Sequence, residues 1–266
     1  MKGRKKIYFG GIVLLMAVAF MMFTSCLEGG TNTRTGTVTG VMRLDLATGK
    51  TVLDVPDYYA GYVAFYSPQF QNINPGACCI VNYELDFELP ENSSEILAIN
   101  NYYTVTVSEI QELDVFNVKT VQTDTAAMLP DEVPVLDPAY SIEGYVQNHM
   151  FVVQLINQPS DQKTNWDMSC NIMQDPIEES GQRIYDLFVR ASVGTAGSKS
   201  SVDMSLINAY NVGYLLTSIA QKEKNLGNSE VYLRFNYVSS IKDGELVWGK
   251  TQPTYFLVQQ IIPDGY

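Results

Sequence analysis

The chain has 266 residues, with 17 lysines and arginines against 29 acids and a formal net charge of −12. That balance excludes the electrostatics of nucleic-acid recognition, which needs a basic surface to displace counterions, and it argues against attraction to anionic lipid headgroups. With 46% apolar and 17% charged residues the chain is too apolar for disorder. Its seventeen tyrosines, against two tryptophans, favour strands.

Met1-Lys2-Gly3-Arg4-Lys5-Lys6 is basic, Ile7 to Phe23 is apolar, and the run ends in Phe23-Thr24-Ser25-Cys26. A basic start, an apolar stretch and small residues before a cut site make a secretory signal. Gly10, Gly11 and the Thr24-Ser25 ending leave the run short for a spanning helix, which takes about 20 apolar residues. The small residue before Cys26 resembles the lipobox of bacterial lipoproteins, with Phe23 where leucine is usual. This resemblance implies removal of residues 1–25, acylation of Cys26 and a membrane-tethered protein outside the cytoplasm. Each acyl CH₂ buried in a bilayer contributes about 0.8 kcal/mol, so several chains hold firmly. Loss of Lys2, Arg4, Lys5 and Lys6 leaves thirteen basic residues against 29 acidic ones.

Residues 26–36 are small and polar after the lipid-bearing cysteine and read as a tether. From Thr37, short apolar runs predict strands at Thr37–Leu44, Thr51–Val55, Tyr62–Tyr66, Ala77–Phe87, Tyr102–Val107 and Glu109–Asn117. Ala47–Lys50 and Asn74-Pro75-Gly76 supply turns. So many short strands over 37–122 predict a small barrel or sandwich. Thr123–Pro138, which holds Pro130, Pro134 and Pro138, is the expected domain boundary, because proline stiffens a segment and stops it pairing. In 139–266, Ser141–Gln147 and His149–Ile156 flank Asn148 as a hairpin. Arg183–Val193, Tyr214–Ile219, Glu230–Ser239 and Thr254–Ile262 read as strands, with an Asp-Gly turn at Lys242–Glu245. A short helix is expected in Ser205–Asn211 or in Ile219–Lys224. The second region is expected to be a β-sandwich.

Pro75-Gly76 ahead of the strand Ile80–Leu85, the run Tyr103–Phe116 ending near Lys119, and Tyr214–Ile219 followed by Val231–Tyr237 together resemble the NigD-like lipoprotein family. The resemblance spans most of the chain after the signal. It implies an all-β protein, a small OB-like barrel followed by a β-sandwich. It also implies the outer membrane of a gram-negative gut bacterium, on the periplasmic or the cell-surface side. It implies no established chemistry.

The residues themselves offer little chemistry. One histidine, His149, would have to serve any Ser-His-Asp or Cys-His site. Asp54 with Asp57, Asp131 with Glu132, and Glu178 with Glu179 are the carboxylate pairs a glycosidase would need, all in segments read as loops. Asp161–Asp167 has oxygens for calcium but contains Lys163 and lacks the glycine turn. Gly194–Ser200 lacks the spacing of a phosphate-binding loop. Cys78 and Cys79 read as small buried hydrophobes. No catalytic residue, metal site or cofactor is therefore expected. The remaining signal is a tyrosine cluster, Tyr58, Tyr59, Tyr62 and Tyr66, before Pro68. Strand alternation puts Tyr62 and Tyr66 on one face and Val63 and Phe65 on the other, so the tyrosines are the candidate surface for a protein or glycan partner. The sequence thus points to a non-catalytic envelope lipoprotein. The alternatives are an accessory subunit of a fimbria-like surface assembly and an envelope polysaccharide hydrolase.

Overall fold

The computed structural model describes residues 32–57, 61–121, 125–136 and 141–262. The signal sequence, Cys26, Tyr58 and Tyr59 lie outside the described residues. The chain divides into two compact units, one comprising the chain up to Val55 with Val63–Glu112, the other Pro56–Tyr62 with Leu113–Tyr266.

The first sheet contains β1 (Thr33–Asp45), β2 (Lys50–Asp57), β3 (Gly61–Tyr66), β4 (Cys78–Asp86), β5 (Tyr103–Thr104) and β6 (Thr106–Glu112), in the order β5-β3-β2-β1-β4-β6. Only Val105 separates β5 from β6. β5 runs parallel to β3, with Tyr103 opposite Phe65, and β6 runs antiparallel to β4, with Glu112 opposite Cys79. The bent segment 103–112 therefore pairs with both ends of the sheet and curls it into a half-barrel.

Strand alternation fills this barrel. Cys79, Val81, Tyr83 and Leu85 are buried, while Ile80, Asn82 and Glu84 are less so. With Met42, Leu53, Phe65, Phe70, Val105 and Val107 they form its core. Burying each large apolar side chain contributes about 1.5–3 kcal/mol. β1 and β2 approach closely at Gly40, where a Cβ would lie 2.5 Å from the Asp54 carbonyl oxygen and 2.9 Å from the Leu53 side chain. The predicted turn before β4 is present: Gly76 has φ 93 and its N–H donates to the Met42 carbonyl at 2.7 Å. A helix that the sequence reading missed, α1 (Ser94–Asn100), lies between β4 and β5 and ends at Asn101 in the left-handed region. The buried Asn92 ties its approach to the barrel, donating to the Asp86 and Thr104 carbonyls and accepting from the Thr104 N–H.

The second unit begins at β7 (Val115–Lys119), followed by β8 (Glu132–Val133), β9 (Ser141–Val146), β10 (His149–Pro159), β11 (Lys163–Ser169), β12 (Ile177–Glu179), β13 (Gln182–Thr195), β14 (Ser201–Asn211), β15 (Glu230–Lys242), β16 (Glu245–Lys250) and β17 (Thr254–Leu257). Their order is β16-β15-β13-β11-β7-β14-β10-β9, with β8 and β12 on β13 and β17 on β15. β7 pairs with β14 through Val115–Asn117 and with β11 through Val118 and Lys119. One strand thus serves two layers. Met150, Val152, Ile156 and Tyr210 from one side and Met168, Leu187, Val189, Leu233 and Phe235 from the other share one core, as in a sandwich. A helix, α2 (Gly213–Asn225), adds Leu215, Leu216, Ile219 and Ala220 to it.

Three expectations need correction. The boundary lies between Glu112 and Leu113, not in Thr123–Pro138, because β7 finds its partners in the second sheet. The proline segment is part of that unit: Val135 is fully buried, its N–H donates to the Val238 carbonyl at 2.8 Å, and β8 pairs with β13. Tyr214–Ile219 is helix rather than strand, with the buried residues at the 3.6-residue spacing of one helical face. Thr254–Ile262 is half strand and half helix, since the short helix α3 (Val258–Ile261) follows β17. Of the two places expected for a short helix, Ile219–Lys224 lies in α2 and Ser205–Asn211 lies in β14. Asp161–Asp167, weighed as a cation loop, runs into β11, where Trp166 and Met168 are buried.

Candidate functional site

Of the tyrosine cluster, Tyr62 and Tyr66 are described. Both lie in β3, and the expected division of faces is present: Val63 and Phe65 pack in the barrel core, Ala64 and Tyr66 in a separate small cluster with Val52 and Tyr102. Tyr62 is 42% exposed. Tyr66 is half-buried and engaged. Its ring lies 5.3 Å from that of Tyr102, and the Lys50 Nζ sits 4.3 Å from its centroid. Lys50 also donates to the Tyr102 hydroxyl at 2.8 Å, and this bond holds the ammonium charged above its ordinary range. Of the two described members of the cluster, Tyr62 thus has the open ring, while Tyr66 contributes to a packed corner.

Four of the six carboxylates singled out from the sequence are ion-paired. Asp54 is buried and accepts from Arg43 Nε at 2.8 Å and a second guanidinium nitrogen at 3.2 Å. Glu132 is paired to Arg190, Glu178 to Arg183 at 3.4 Å, and Glu179 to Arg234 at 2.7 Å. His149 stands at the hairpin turn, its Nδ1 2.7 Å from the Gln147 carbonyl oxygen; Gln147 and Asn148 both have positive φ, as a two-residue hairpin turn requires. Among the described residues no group of three or more His, Cys, Asp or Glu is placed to hold a metal ion. Burial raises the thiols of Cys78, Cys79 and Cys170 to about 12, far from the reactive range.

Two discarded motifs meet in the structure. Asp161 accepts from the Ser198 N–H at 3.0 Å, the Ser198 hydroxyl at 2.7 Å and the Lys199 N–H at 3.2 Å. The donors that an anion would use in Gly194–Ser200 are thus turned onto the chain's own carboxylate, and the bonds from Ser198 lower its pKa to about 2.

A polar centre that the sequence did not reveal lies at the start of β13. Glu223 projects from α2 with its side chain only 2% exposed. Arg183 Nε donates to both its oxygens at 3.1 and 3.2 Å, Asn228 donates at 2.6 Å, and the Tyr185 hydroxyl donates to it as well. Burial pushes Glu223 up, but these donors outweigh it and hold the group below its ordinary value. Nearby, the Tyr232 hydroxyl donates to Glu230. Glu223, Arg183, Asn228, Tyr232 and Glu230, with Gln182, line a cleft of about 260 Å³. A second cleft of about 210 Å³ runs beside Cys170, Asp186 and Ile177, and Asp186 in its lining accepts two bonds from Arg234 at 2.7 and 3.1 Å. Arg183 and Glu223 are forty residues apart, and no local pattern links them.

Residues 30–111 match a family of lipoprotein OB domains. No curated protein matches the chain. An uncharacterized protein from Parabacteroides merdae has a similar structure, with a TM-score of 0.72 at 21% identity, covering 84% of this chain and 99% of that one. A protein designated a lipoprotein, from Bacteroides fragilis, gives 0.52 at 11% identity over 82% of this chain and 96% of its own. A NigD-like immunity protein from Bacteroides caccae is 12% identical over 84% of this chain and 93% of its own, with a TM-score of 0.45. At such identities the first two likenesses concern the fold alone. The barrel is similar to the lipoprotein OB domain over nearly its whole length, and the chain is all-β in the order expected: a barrel, then a larger β-unit. Among the described residues no helix is long and apolar enough to cross a membrane.

Proposed function

We propose that this protein is a non-catalytic accessory lipoprotein, held at the outer membrane through acylated Cys26, whose barrel region offers Tyr58, Tyr59, Tyr62 and Tyr66 to a protein or glycan partner. The carrying observation is the match of residues 30–111 to a lipoprotein OB domain, beginning four positions after the lipobox-like Phe23-Thr24-Ser25-Cys26. A lipid anchor followed by a short polar tether presents a folded domain to the envelope without a spanning helix. The pairing of Asp54, Glu132, Glu178 and Glu179 with arginines supports the non-catalytic reading over a polysaccharide hydrolase. The open ring of Tyr62 supports a contact role, because a tyrosine offers a flat apolar surface with a polar tip.

The test is a fractionation with a pull-down. The Cys26→Ala protein leaves the membrane fraction or stays unprocessed, and wild type captured from solubilised membranes brings down a partner that Tyr62→Ala does not. A processed Cys26→Ala protein that still sediments with the outer membrane rejects the anchor. A partner retained equally by Tyr62→Ala rejects the tyrosine surface.

A further inference from the structure

The cleft between the β12–β13 turn and the loop after α2 has the composition of a sugar subsite. One wall is aromatic: Tyr232 lines it, and Tyr255, its cross-strand neighbour, is 38% exposed with its ring 5.9 Å away. The other walls are planar polar groups, the Gln182 and Asn228 amides, the Glu230 carboxylate and the Arg183 guanidinium. These groups are fixed before any ligand arrives. Arg183 and Asn228 are held on the buried Glu223, and Glu230 is held by the Tyr232 hydroxyl. Side chains already ordered lose little freedom on binding, so weak contacts add up. At about 260 Å³ the space is below the roughly 300–1,000 Å³ of sites for drug-sized ligands. It suits one sugar ring, whose apolar face stacks on an aromatic wall while its hydroxyls meet amides and a carboxylate.

We propose that this cleft binds a single neutral saccharide unit. Charge sets the restriction to neutral sugars. Arg183 is shared between Glu223 and Glu178, at 3.1 and 3.4 Å, so the cleft keeps the Glu230 carboxylate as surplus charge and disfavours an acidic sugar. The site uses none of Tyr58, Tyr59, Tyr62 and Tyr66, so its failure leaves the proposed function standing.

The experiment uses the full chain purified from membranes and titrated by saturation-transfer NMR. The probes are glucose, galactose, mannose and N-acetylglucosamine, with glucuronate as the acidic counterpart. At least one neutral probe binds, and glucuronate binds about tenfold more weakly than glucose or not at all. Glu230→Gln and Tyr232→Ala each weaken the neutral sugar about tenfold or more. Ser229→Trp, at an exposed position of the cleft's rim, abolishes binding by filling it and serves if Tyr232→Ala does not fold. Absence of transfer to every neutral probe overturns the proposal, as does binding that survives Ser229→Trp.

Discussion

Arg190 and Glu132 form a two-pronged ion pair with both side chains inside the second unit, 1% and 0% exposed. Arg190 Nε donates to Glu132 Oε1 at 2.7 Å, and its Nη2 donates both to Oε2 and, at 2.7 Å, to the Ala127 carbonyl. The guanidinium also faces the Trp248 ring, whose indole N–H reaches the Thr125 carbonyl at 3.2 Å. A segment that looks like a linker is thereby fastened to β13 and β16 through its one deeply buried acid.

Removing one partner of such a pair leaves an uncompensated buried charge, a loss of about 3–5 kcal/mol. Glu132→Ala and Arg190→Ala are each expected to destabilise by that amount in denaturant unfolding. Limited proteolysis within residues 125–136 is expected to accelerate in both. An Arg190→Met, Glu132→Leu double replacement is expected to recover much of the loss, because it leaves no orphaned charge. Single variants within about 1 kcal/mol of wild type contradict this account.

What the sequence revealed divides along physical lines. Local signals were readable: the Gln147-Asn148 turn between β9 and β10, the Pro75-Gly76 turn, and the in–out alternation of Val81, Tyr83 and Leu85. Tyr214–Ile219 misled because Tyr, Leu, Thr and Ile also suit a strand. The helical signal was the wider spacing of Leu215, Leu216, Ile219, Ala220 and Glu223, which the short window cut off. The domain boundary was not readable at all. Val115–Lys119 continues the alternation of β6, and only its pairing with Ala209–Asn211 and Met168–Ser169, fifty or more residues away, assigns it to the second sheet. The Arg183–Glu223 centre was hidden for the same reason, since its members meet only after β13 and α2 pack.

Glu223 predicts an acid limb in the stability curve. Burial opposes its ionisation, but Tyr185, Asn228 and Arg183 together place its folded pKa below the ordinary 4.5. A depressed folded value means that its contribution is fully present above about pH 4.5 and is lost as pH falls through the lower folded value. Thermal melts between pH 6 and 3 are expected to fall less steeply for Glu223→Gln than for wild type, from a lower start at pH 6. Parallel acid limbs would show that the carboxylate's charge is not what the donors recognise.

Asp161 gives a second, independent pH signature. Its bonds from Ser198 and Lys199 lower its pKa from 3.8 to about 2. The loop 194–200 is therefore expected to keep its form down to about pH 2 and to loosen as pH falls through it, with the Ser198 and Lys199 amide NMR signals reporting the change. Gly197→Ala tests the same contact sterically, because a Cβ there would lie 2.6 Å from Asp161 Oδ1 and 2.5 Å from Pro159 Cβ. The substitution is expected to destabilise by about 1–3 kcal/mol and to shift both amide signals at neutral pH.

The last prediction separates contact from packing within β3. Tyr62 and Tyr66 share a face by alternation, yet their surroundings differ. Tyr62 is 42% exposed, whereas the Tyr66 ring leans on Tyr102 and carries the Lys50 ammonium over its face. An aromatic pair is worth about 0.5–1.5 kcal/mol beyond its buried area, and a cation over a ring adds about 0.5–1 kcal/mol. Tyr66→Ala is therefore expected to cost about 1–2 kcal/mol in denaturant unfolding. Tyr62→Ala is expected to stay within about 0.5 kcal/mol of wild type, as surface changes usually do. Because Lys50 bridges the two rings, Lys50→Met is expected to lower stability in the wild type more than in Tyr66→Ala, a non-additivity that reports the shared contact. Tyr62→Ala then becomes the clean probe of partner binding, since any loss of capture occurs in a protein that is otherwise intact. Equal destabilisation by the two tyrosine substitutions would place both rings in the packed corner and leave β3 without an open aromatic.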